Sequence, residues 1–295
     1  MSPKRPNADV HGICVIDKEA GWTSHDVVAK ARGVLGTRKV GHSGTLDPPA
    51  TGVLVLGVGR ATRLLSFVTA QPKTYTGEIV FGTETDTLDD TGVVTAEHDM
   101  TGIDIDQVSA AARRLTGPIE QIPPMVSAVK IGGKRLHQLA REGKEVERPP
   151  RSVTIHRFDI EATDDSAVVV CTVECSSGTY VRTLAADVGA MLGGGAHLRK
   201  LRRTSVGPFT LAEATSVESP TVLPMASVFA GHRLISVASD VATAVGHGKV
   251  LERTLLDIDA DAPGPFPVVD ADGALVAVYQ PHHGSTVKPT VVLAG

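Results

Sequence analysis

Residues 41–52, GHSGTLDPPATG, constrain the fold of this chain more than any other stretch of its sequence. Three glycines, two prolines and three Ser or Thr residues in twelve positions exclude a helix or the middle of a strand. Asp47 precedes Pro48, and a residue before proline is held in extended geometry, so its carboxylate lies on a stiff turn. The apolar run at residues 53–59 then predicts a buried strand. The sequence therefore indicates either a reactive carboxylate fixed beside the core or an Asx turn in which Asp47 only binds backbone N–H groups.

The composition is that of an ordinary globular protein. The 295 residues, 42% hydrophobic and 21% charged, are enough for one large domain and a small one. No apolar run approaches the roughly 20 residues of a membrane helix, and the N-terminus lacks the apolar segment of a signal peptide, which predicts a cytoplasmic protein without membrane contact. Three cysteines without a CxxC pair are expected to be packing residues rather than zinc ligands or redox groups.

Charge is segregated along the chain, although the net charge is only −4. Residues 82–107 contain eight acids and no Lys or Arg, residues 130–151 contain seven Lys or Arg against three Glu, and residues 199–203 read RKLRR. Such segregation fits one face that meets a polyanion. For RKLRR alone, a solvated surface run explains the sequence equally well.

Alternating strand and helix patterns predict an α+β (mixed α/β) domain around a central mixed, mostly antiparallel sheet flanked by helices. Residues 73–82, KTYTGEIVFG, alternate as a half-buried strand. Thr23 or Ser24 is the predicted N-cap of a helix over residues 27–35, and residues 61–68 are expected to form a short helix. Thr179 is the predicted N-cap of a helix that has Arg182 in its first turn. A cation is unfavourable there, which suggests an anionic partner from elsewhere in the fold.

A loose segment at residues 213–224 separates a C-terminal region of a different kind. Short apolar runs at residues 234–237, 267–270, 275–279 and 290–293 are separated by Asp-Gly, Pro-Gly and His-Gly turns. Asp272-Gly273 is a strong hairpin signal. We therefore predict a first domain over residues 1–232 and a small β-barrel over residues 233–295.

The motif around Asp47 resembles the catalytic motif of the bacterial tRNA pseudouridine-55 synthases, the TruB family, where the number belongs to the tRNA. Similar segments follow in the same order over roughly residues 11–210. Two positions depart from the family pattern: Glu19 stands where proline is usual, and Arg63 stands where lysine is common, which keeps the charge but changes its geometry. The tail is similar in outline to the small RNA-binding PUA domain. The matching segments are DKEAGWTSHDVV (17–28), VGRATRLL (58–65), KTYTGEIVFGTETDTLDD (73–90), PPMVSAVKIGGKRLHQLAREG (123–143), SSGTYVRTLAADVG (176–189) and GAHLRKLRR (195–203).

The resemblance implies the pseudouridine-synthase fold and an enzyme that isomerises uridine to pseudouridine in the T-loop of tRNA. It implies a flipped base, no cofactor, no metal, no protein partner and a monomer, with room for an additional role in tRNA folding. By the same resemblance, Asp47 matches the nucleophile, Arg182 the residue that pairs with it, and Tyr75 the tyrosine stacked near the flipped base.

Other positions take roles from the same resemblance. His42 matches the residue that fills the space left by the extruded nucleotide, and Asp89 matches an acid that contacts the turned-out nucleotide. Tyr180 and Leu201 match residues that line the base pocket. The basic residues expected to contact RNA phosphates are Arg63, Lys130, Arg199, Lys200, Arg202 and Arg203.

Two other function classes remain as alternatives. A glycosidase also uses an Asp nucleophile, but it needs a second carboxylic acid, and none is near Asp47 in the sequence. A non-catalytic RNA-binding or RNA-folding protein would explain the basic segments and the C-terminal region. It would not explain a carboxylate stiffened by proline. Incubation with RNA separates the three classes by their products: pseudouridine, released sugar, or binding alone.

Overall fold

Two large β-sheets and two short hairpins form the β-structure of the computed structural model, which describes residues 10–127, 129–144 and 146–293. Across those ranges, no helix is long and apolar enough to cross a membrane. The strands are β1 (Gly12–Lys18), β2 (Val40–His42), β3 (Thr51–Val58), β4 (Lys73–Phe81), β5 (Thr83–Thr85), β6 (Val94–Glu97), β7 (Gly117–Gln121), β8 (Lys130–Ile131), β9 (Lys134–Arg135), β10 (Arg151–Ala162), β11 (Val168–Cys175), β12 (Ala196–Val206), β13 (Phe209–Thr210), β14 (Ile235–Ser236), β15 (Leu251–Glu252), β16 (Phe266–Val269), β17 (Leu275–Pro281) and β18 (Thr286–Val292). The α-helices are α1 (Ser24–Leu35), α2 (Leu65–Ala70), α3 (Ile105–Arg114), α4 (Leu136–Arg141), α5 (Val181–Met191) and α6 (Ser239–Gly246), and 3-10 turns cover Gly59–Leu64, Met225–Phe229 and Arg253–Leu256.

The larger sheet has nine strands in the order β1-β3-β12-β4-β11-β10-β7, with β2 paired to β3 and β13 paired to β12. Its pairs are antiparallel except for β3 and β12, which run parallel and align Thr51 with Arg202 and Gly52 with Arg203. This mixed, mostly antiparallel sheet with helices packed on it confirms the predicted fold class. The parallel pair also brings the end of the Asp47 loop beside the RKLRR segment.

Strand β4 shows how the sequence sets the two faces of this sheet. Its burial alternates without a break, as the residue types predict, because successive strand side chains point to opposite faces. Tyr75, Ile79 and Phe81 lie on the buried face. Since β4 lies between β12 and β11, Tyr75 is held at the centre of the sheet.

Thr23, one of the two predicted N-cap residues, is the N-cap of helix α1 and forms a capping box with Asp26. The Thr23 hydroxyl accepts a hydrogen bond from the Asp26 amide at 3.1 Å, and the Thr23 amide donates to the Asp26 carboxylate at 2.9 Å. Val27, Val28 and Ala31 face the core. Helix α5 buries its apolar side chains in the same core cluster, so both helices cover the sheet beside the Asp47 loop.

Two local predictions were wrong. Residues 61–68 are not one helix, because the chain first makes the 3-10 turn Gly59–Leu64 and only then α2. Thr179 is not the N-cap of α5: Tyr180 occupies that position without a side-chain cap, and the Thr179 hydroxyl donates to the Ser176 carbonyl at 3.0 Å. Arg182 nevertheless lies in the first turn of α5.

The smaller sheet has five strands in the order β14-β16-β17-β18-β15, and it encloses its own apolar cluster around Val268, Tyr279 and Val287. The chain reverses between β16 and β17 at the predicted Asp272-Gly273 turn. Helix α6 and strand β15 were not predicted. Residues of β16, β17 and β18 also join a cluster with Ile13, Val53 and neighbouring residues of the larger sheet. The two sheets therefore share a core.

Candidate active site

The loop that carries Asp47 is anchored on both sides of the carboxylate. The Leu46 amide donates to the Ser24 hydroxyl at 2.9 Å, and that hydroxyl donates to the Leu46 carbonyl at 3.2 Å. On the other side, the ammonium of Lys18 donates to the Pro48 carbonyl at 3.1 Å. The stiff turn predicted from Asp47-Pro48 is thus held by α1 and by the end of β1.

Lys18 is a buried lysine whose contacts are backbone carbonyls. Besides Pro48, it donates to the carbonyls of Glu19 at 2.9 Å and Trp22 at 2.7 Å. Burial lowers its pKa to about 8, opposed by the nearby charge of Asp47. Lys18 contacts the main-chain carbonyl of residue 19, not its side chain. The presence of Glu19 where the family usually has proline therefore does not remove this hydrogen bond.

Arg182 joins the Asp47 loop to a second acidic segment. Its guanidinium lies 3.0 Å from the Asp47 carboxylate and 3.2 Å from the Asp89 carboxylate. It also donates to the carbonyls of Thr87 at 2.8 Å and Val126 at 3.0 Å. The unfavourable cation in the first turn of α5 therefore has two anionic partners, both from outside the helix.

Burial and nearby charges have opposite effects on the pKa of Asp47. Burial desolvates the carboxyl group and raises its pKa, while the Arg182 guanidinium opposes the rise. The nearby Asp89 raises the pKa further. The side chain is still 39% exposed, so the carboxylate is recessed but reachable.

Asp89 is a second carboxylate at this site. It is far from Asp47 in the sequence, so the sequence did not show that the two lie close together. Asp89 is buried, and one of its oxygens accepts hydrogen bonds from the Thr87 hydroxyl at 2.7 Å and the Thr91 amide at 3.1 Å. The acidic loop is docked on β12, since the Leu198 amide donates to Leu88 at 3.0 Å and the Asp90 amide donates to Leu198 at 3.1 Å. A distant loop therefore supplies the second partner of Arg182.

Asp47 lies in the walls of three cavities, a small one of about 180 Å³ along β12 and two larger ones. The first of the larger two, of about 260 Å³, contains Tyr75 and Leu201 in its wall, and the side chain of Tyr75 is only 8% exposed. The second, of about 460 Å³, lies on the side of α1 and the acidic loop. Both larger cavities share Asp47 and Arg182. The ion pair thus lies at the border between a smaller pocket, which contains Tyr75, and a larger opening.

Tyr180 is fixed in the wall of the first cavity by a residue that the sequence did not single out. The side chain of Gln121, at the end of β7, accepts a hydrogen bond from the Tyr180 amide at 2.7 Å and donates to its carbonyl at 3.1 Å. This pair replaces a side-chain cap at the start of α5. Neither strand β7 nor this contact was predicted from the sequence.

His42 lies at the end of β2, before the Asp47 loop, and its ring packs edge-on against His25 with 5.3 Å between centroids. Burial lowers the pKa of His42, and the charge of His25 acts in the same direction. His25 lies in the wall of the wider cavity. The ring of His25 therefore connects His42 to that opening.

The basic residues assigned to RNA phosphates lie in different environments. Arg199 and Lys200 both pair with Glu78, and Arg202 pairs with Asp17 at 2.7 Å. Exposed Arg63 donates to the Val292 carbonyl of the smaller sheet. The side chain of Lys130 lies outside the described part of the structure. Arg203 differs from the expectation, because it is buried and its guanidinium binds the backbone.

Comparison with known proteins gives consistent matches over most of the chain. A family model described as TruB family pseudouridylate synthase (N terminal domain) matches residues 32–181, and one described as tRNA pseudouridylate synthase B C-terminal domain matches residues 182–260. The chain is 47% identical to tRNA pseudouridine synthase B of Rhodococcus jostii, over 91% of this chain and 90% of that protein. It is 43% identical to the protein of the same name from Thermobifida fusca, over 96% and 99%.

Solved structures share the fold at lower identity. The crystal structure of a Cbf5-Nop10-Gar1 complex contains a chain that matches with a TM-score of 0.74 and 23% identity, over 96% of this chain and 84% of that one. The archaeal box H/ACA sRNP Nop10-Cbf5 complex matches with a TM-score of 0.70 and 22% identity. These likenesses concern the arrangement of both sheets.

Proposed function

The chain belongs to the TruB family of pseudouridylate synthases, and on this premise we propose that it isomerises uridine 55 in the T-loop of tRNAs, with Asp47 as the nucleophile. Its membership makes it a pseudouridine synthase, an isomerase that converts uridine to pseudouridine in tRNA. The observation that carries the finer assignment is the ion pair between Asp47 and Arg182 at 3.0 Å, at the border of the cavity that holds Tyr75.

The reaction exchanges one bond of uridine for another. The N1–C1′ bond breaks, C1′ becomes joined to C5, the C5 proton leaves and N1 gains a proton, so the product is an isomer. An ionised carboxylate can attack an electrophilic carbon and hold the reacting fragment through a covalent bond while the base turns. Asp47 suits this role because Arg182 favours its ionised form and its anchored loop restricts its movement.

The two larger cavities support entry of a flipped base. A uridine that leaves the stack would occupy the smaller pocket, with its face on Tyr75 and its edges near Tyr180 and Leu201. Asp89 would contact the turned-out nucleotide from the wider opening, and His42 would fill the space that the nucleotide leaves. T-loop recognition would then depend on shape and splayed bases.

Contacts to the tRNA backbone are assigned to basic residues of several elements. Arg199, Lys200 and Arg202 lie on the same strand as Leu201, and Arg63 and Lys130 complete the set. Residues 233–295 act as a PUA-like RNA-binding module beside the catalytic domain of residues 1–232. The protein works as a monomer, on tRNA in the cytoplasm.

Replacement of Asp47 by Asn tests the nucleophile. The amide keeps the shape and loses the charge, so pseudouridine formation on a T-stem-loop RNA should fall by at least about a thousandfold in kcat, with the dissociation constant nearly unchanged. Asp164→Asn, on an exposed loop, is the matched control and should keep full activity. Residual turnover within about tenfold of the parent protein would reject the nucleophile assignment. If the parent protein released free uracil from the RNA instead of forming pseudouridine, this would indicate glycosidase chemistry with Asp89 as the second carboxylate.

A further inference from the structure

Arg203 is a buried arginine directly beside the reactive loop. Only 1% of its surface is exposed, although it closes the basic run RKLRR. The reason is an irregularity in β12: Lys200 has a positive φ of 52°, and the pairing with β4 shifts register between Arg199 and Arg202. The side chains after this point no longer follow the simple alternation, and Arg203 points into the protein.

The guanidinium of Arg203 binds the backbone just before Asp47. Its Nη2 donates to the Gly44 carbonyl at 3.2 Å, and its Nη1 lies 3.4 Å from the Thr45 carbonyl. Its Nε donates to the Val53 carbonyl at 2.7 Å, on the strand that follows the loop. One planar group therefore ties together the two ends of the loop that presents Asp47.

The same guanidinium lies over Tyr75, with 6.0 Å between Cζ and the ring centroid. The two residues are also aligned as cross-strand neighbours on β12 and β4. Burial raises the pKa of the Tyr75 phenol, and the charge of Arg203 opposes that rise. Arg203 thus touches both the loop that carries Asp47 and the aromatic ring of Tyr75, and all three line the same cavity.

The backbone leaves little room for another arrangement. A Cβ atom on Gly52 would lie 2.1 Å from the Arg203 carbonyl, so the parallel contact of β3 with β12 requires glycine there. Within the described ranges, no carboxylate forms an ion pair with Arg203. A buried cation without a counter-charge is costly, and such exceptions concentrate where function depends on them.

We propose that Arg203 is a positioning residue that holds the Asp47 loop at a fixed distance from Tyr75, a role that rests on the proposed function. It does not touch the reacting atoms. Its planar fork binds the loop carbonyls, and its charge faces the aromatic ring. A misplacement of about 1 Å at a reacting group can reduce a rate about a hundredfold, which sets the size of the effect to expect.

The test is the single-turnover rate constant for pseudouridine formation on a T-stem-loop RNA at saturating protein. Under that condition all RNA is bound to folded molecules, so a loss of folded protein alone does not change the rate constant. We expect Arg203→Met to lower it about a hundredfold with little change in RNA affinity. Arg203→Lys, which keeps the charge but not the fork, should lose less and remains measurable if the Met variant does not fold.

Arg253 provides a matched control in the smaller sheet. It is also a buried arginine, it donates to the carbonyls of Asp259 and Ala262, and its Cζ lies 5.5 Å from the Phe266 ring centroid. Arg253→Met should lower the melting temperature and leave the saturated rate constant within about twofold of the parent value. This variant removes similar contacts in a different part of the protein, so its rate constant shows the effect of losing a buried arginine on the structure alone.

The possible outcomes distinguish a failure of the positioning role of Arg203 from a failure of the proposed function. A parent protein that is active, with an Arg203→Met rate constant within about threefold of it, would contradict the positioning role alone. An equal loss in Arg253→Met would also contradict it. A parent protein that leaves the T-loop uridine unmodified would contradict the proposed function, and the role of Arg203 with it.

Discussion

Arg182 shows how a single side chain can organise two loops at the residue scale. It is almost fully buried, and it binds two carboxylates and two backbone carbonyls at once. Burial alone would favour the protonated form of Asp47, so the ionised form that the proposed attack needs depends on this counter-charge.

Replacement of Arg182 by Met should therefore change the pH dependence as well as the rate. Burial already raises the pKa of Asp47, and loss of the guanidinium removes the main effect that opposes the rise. With Asp47 as the proposed nucleophile, activity requires the ionised form and is lost as the pH falls through this pKa, so the acid limb of the kcat profile should move to higher pH. Arg182→Lys keeps a cation and should move it less. A profile with an unchanged acid limb would mean that the charge of Asp47 is set by other groups.

Tyr75 should contribute more to turnover than to binding. One stacked base is worth about 1–3 kcal/mol, whereas phosphate contacts hold the rest of the RNA. Tyr75→Leu should thus lower kcat strongly and weaken binding modestly, and Tyr75→Phe, which keeps the ring, isolates the hydroxyl. Tyr279→Phe is the control, since this buried tyrosine only donates to the Lys249 carbonyl at 2.9 Å. If Tyr75→Leu weakens binding while turnover at saturation stays the same, Tyr75 serves docking or packing.

At the scale of elements, β12 combines part of the wall of the candidate site with a basic surface. Leu201 lies in the cavity wall, while Arg199 and Lys200 pair with Glu78 and Arg202 pairs with Asp17. A phosphate that binds these cations must compete with carboxylates already in place. These pairs are partly exposed to solvent, and ion pairs in contact with water are weak, so an RNA strand can displace them.

Removal of one charge on β12 should reduce the salt dependence of tRNA binding by about one phosphate. Arg199→Met and Arg202→Met should weaken binding to every tRNA alike and flatten the slope of log Kd against log salt. Glu78→Gln should strengthen binding, because it releases two cations. Arg157→Met is the control, as this exposed arginine pairs with Asp159 on β10. An unaltered slope in the β12 variants would identify these residues as ordinary solvated surface.

Local patterns predicted elements well and long-range contacts poorly. Strand β4 and the start of α1 follow from alternation and capping, which neighbouring residues determine. The burial of Arg203 could not be predicted, because it depends on the positive φ of Lys200 and on the parallel pairing with β3. The contact of Asp89 with Arg182 joins residues far apart in the chain, and only the docking of the acidic loop on β12 brings them together.

At the scale of the whole molecule, the smaller sheet is attached to the larger one through apolar packing and hydrogen bonds. Val269, Leu275 and Leu293 belong to a cluster that also contains residues of β1 and β3. Arg60 donates to the Leu293 carbonyl at 2.9 Å, and Arg63 donates to Val292. Both arginines lie in the 3-10 turn that directly follows β3. The chain that leaves the Asp47 loop therefore runs straight to the contact with the C-terminal sheet.

A protein that ends at Arg233 tests whether residues 233–295 form an accessory binding module. Its melting temperature should fall, because the shared cluster becomes exposed. Below that temperature it should still isomerise a T-stem-loop with a kcat close to the parent value, since the proposed catalytic residues lie between 42 and 203. On full-length tRNA it should need more substrate to reach the same rate. Full-length Leu275→Ala is the control: it weakens the same cluster by about 2–5 kcal/mol and keeps the module, so the two RNAs should be affected alike. Equal losses of the truncated protein on both RNAs would show that the smaller sheet serves as a structural cap.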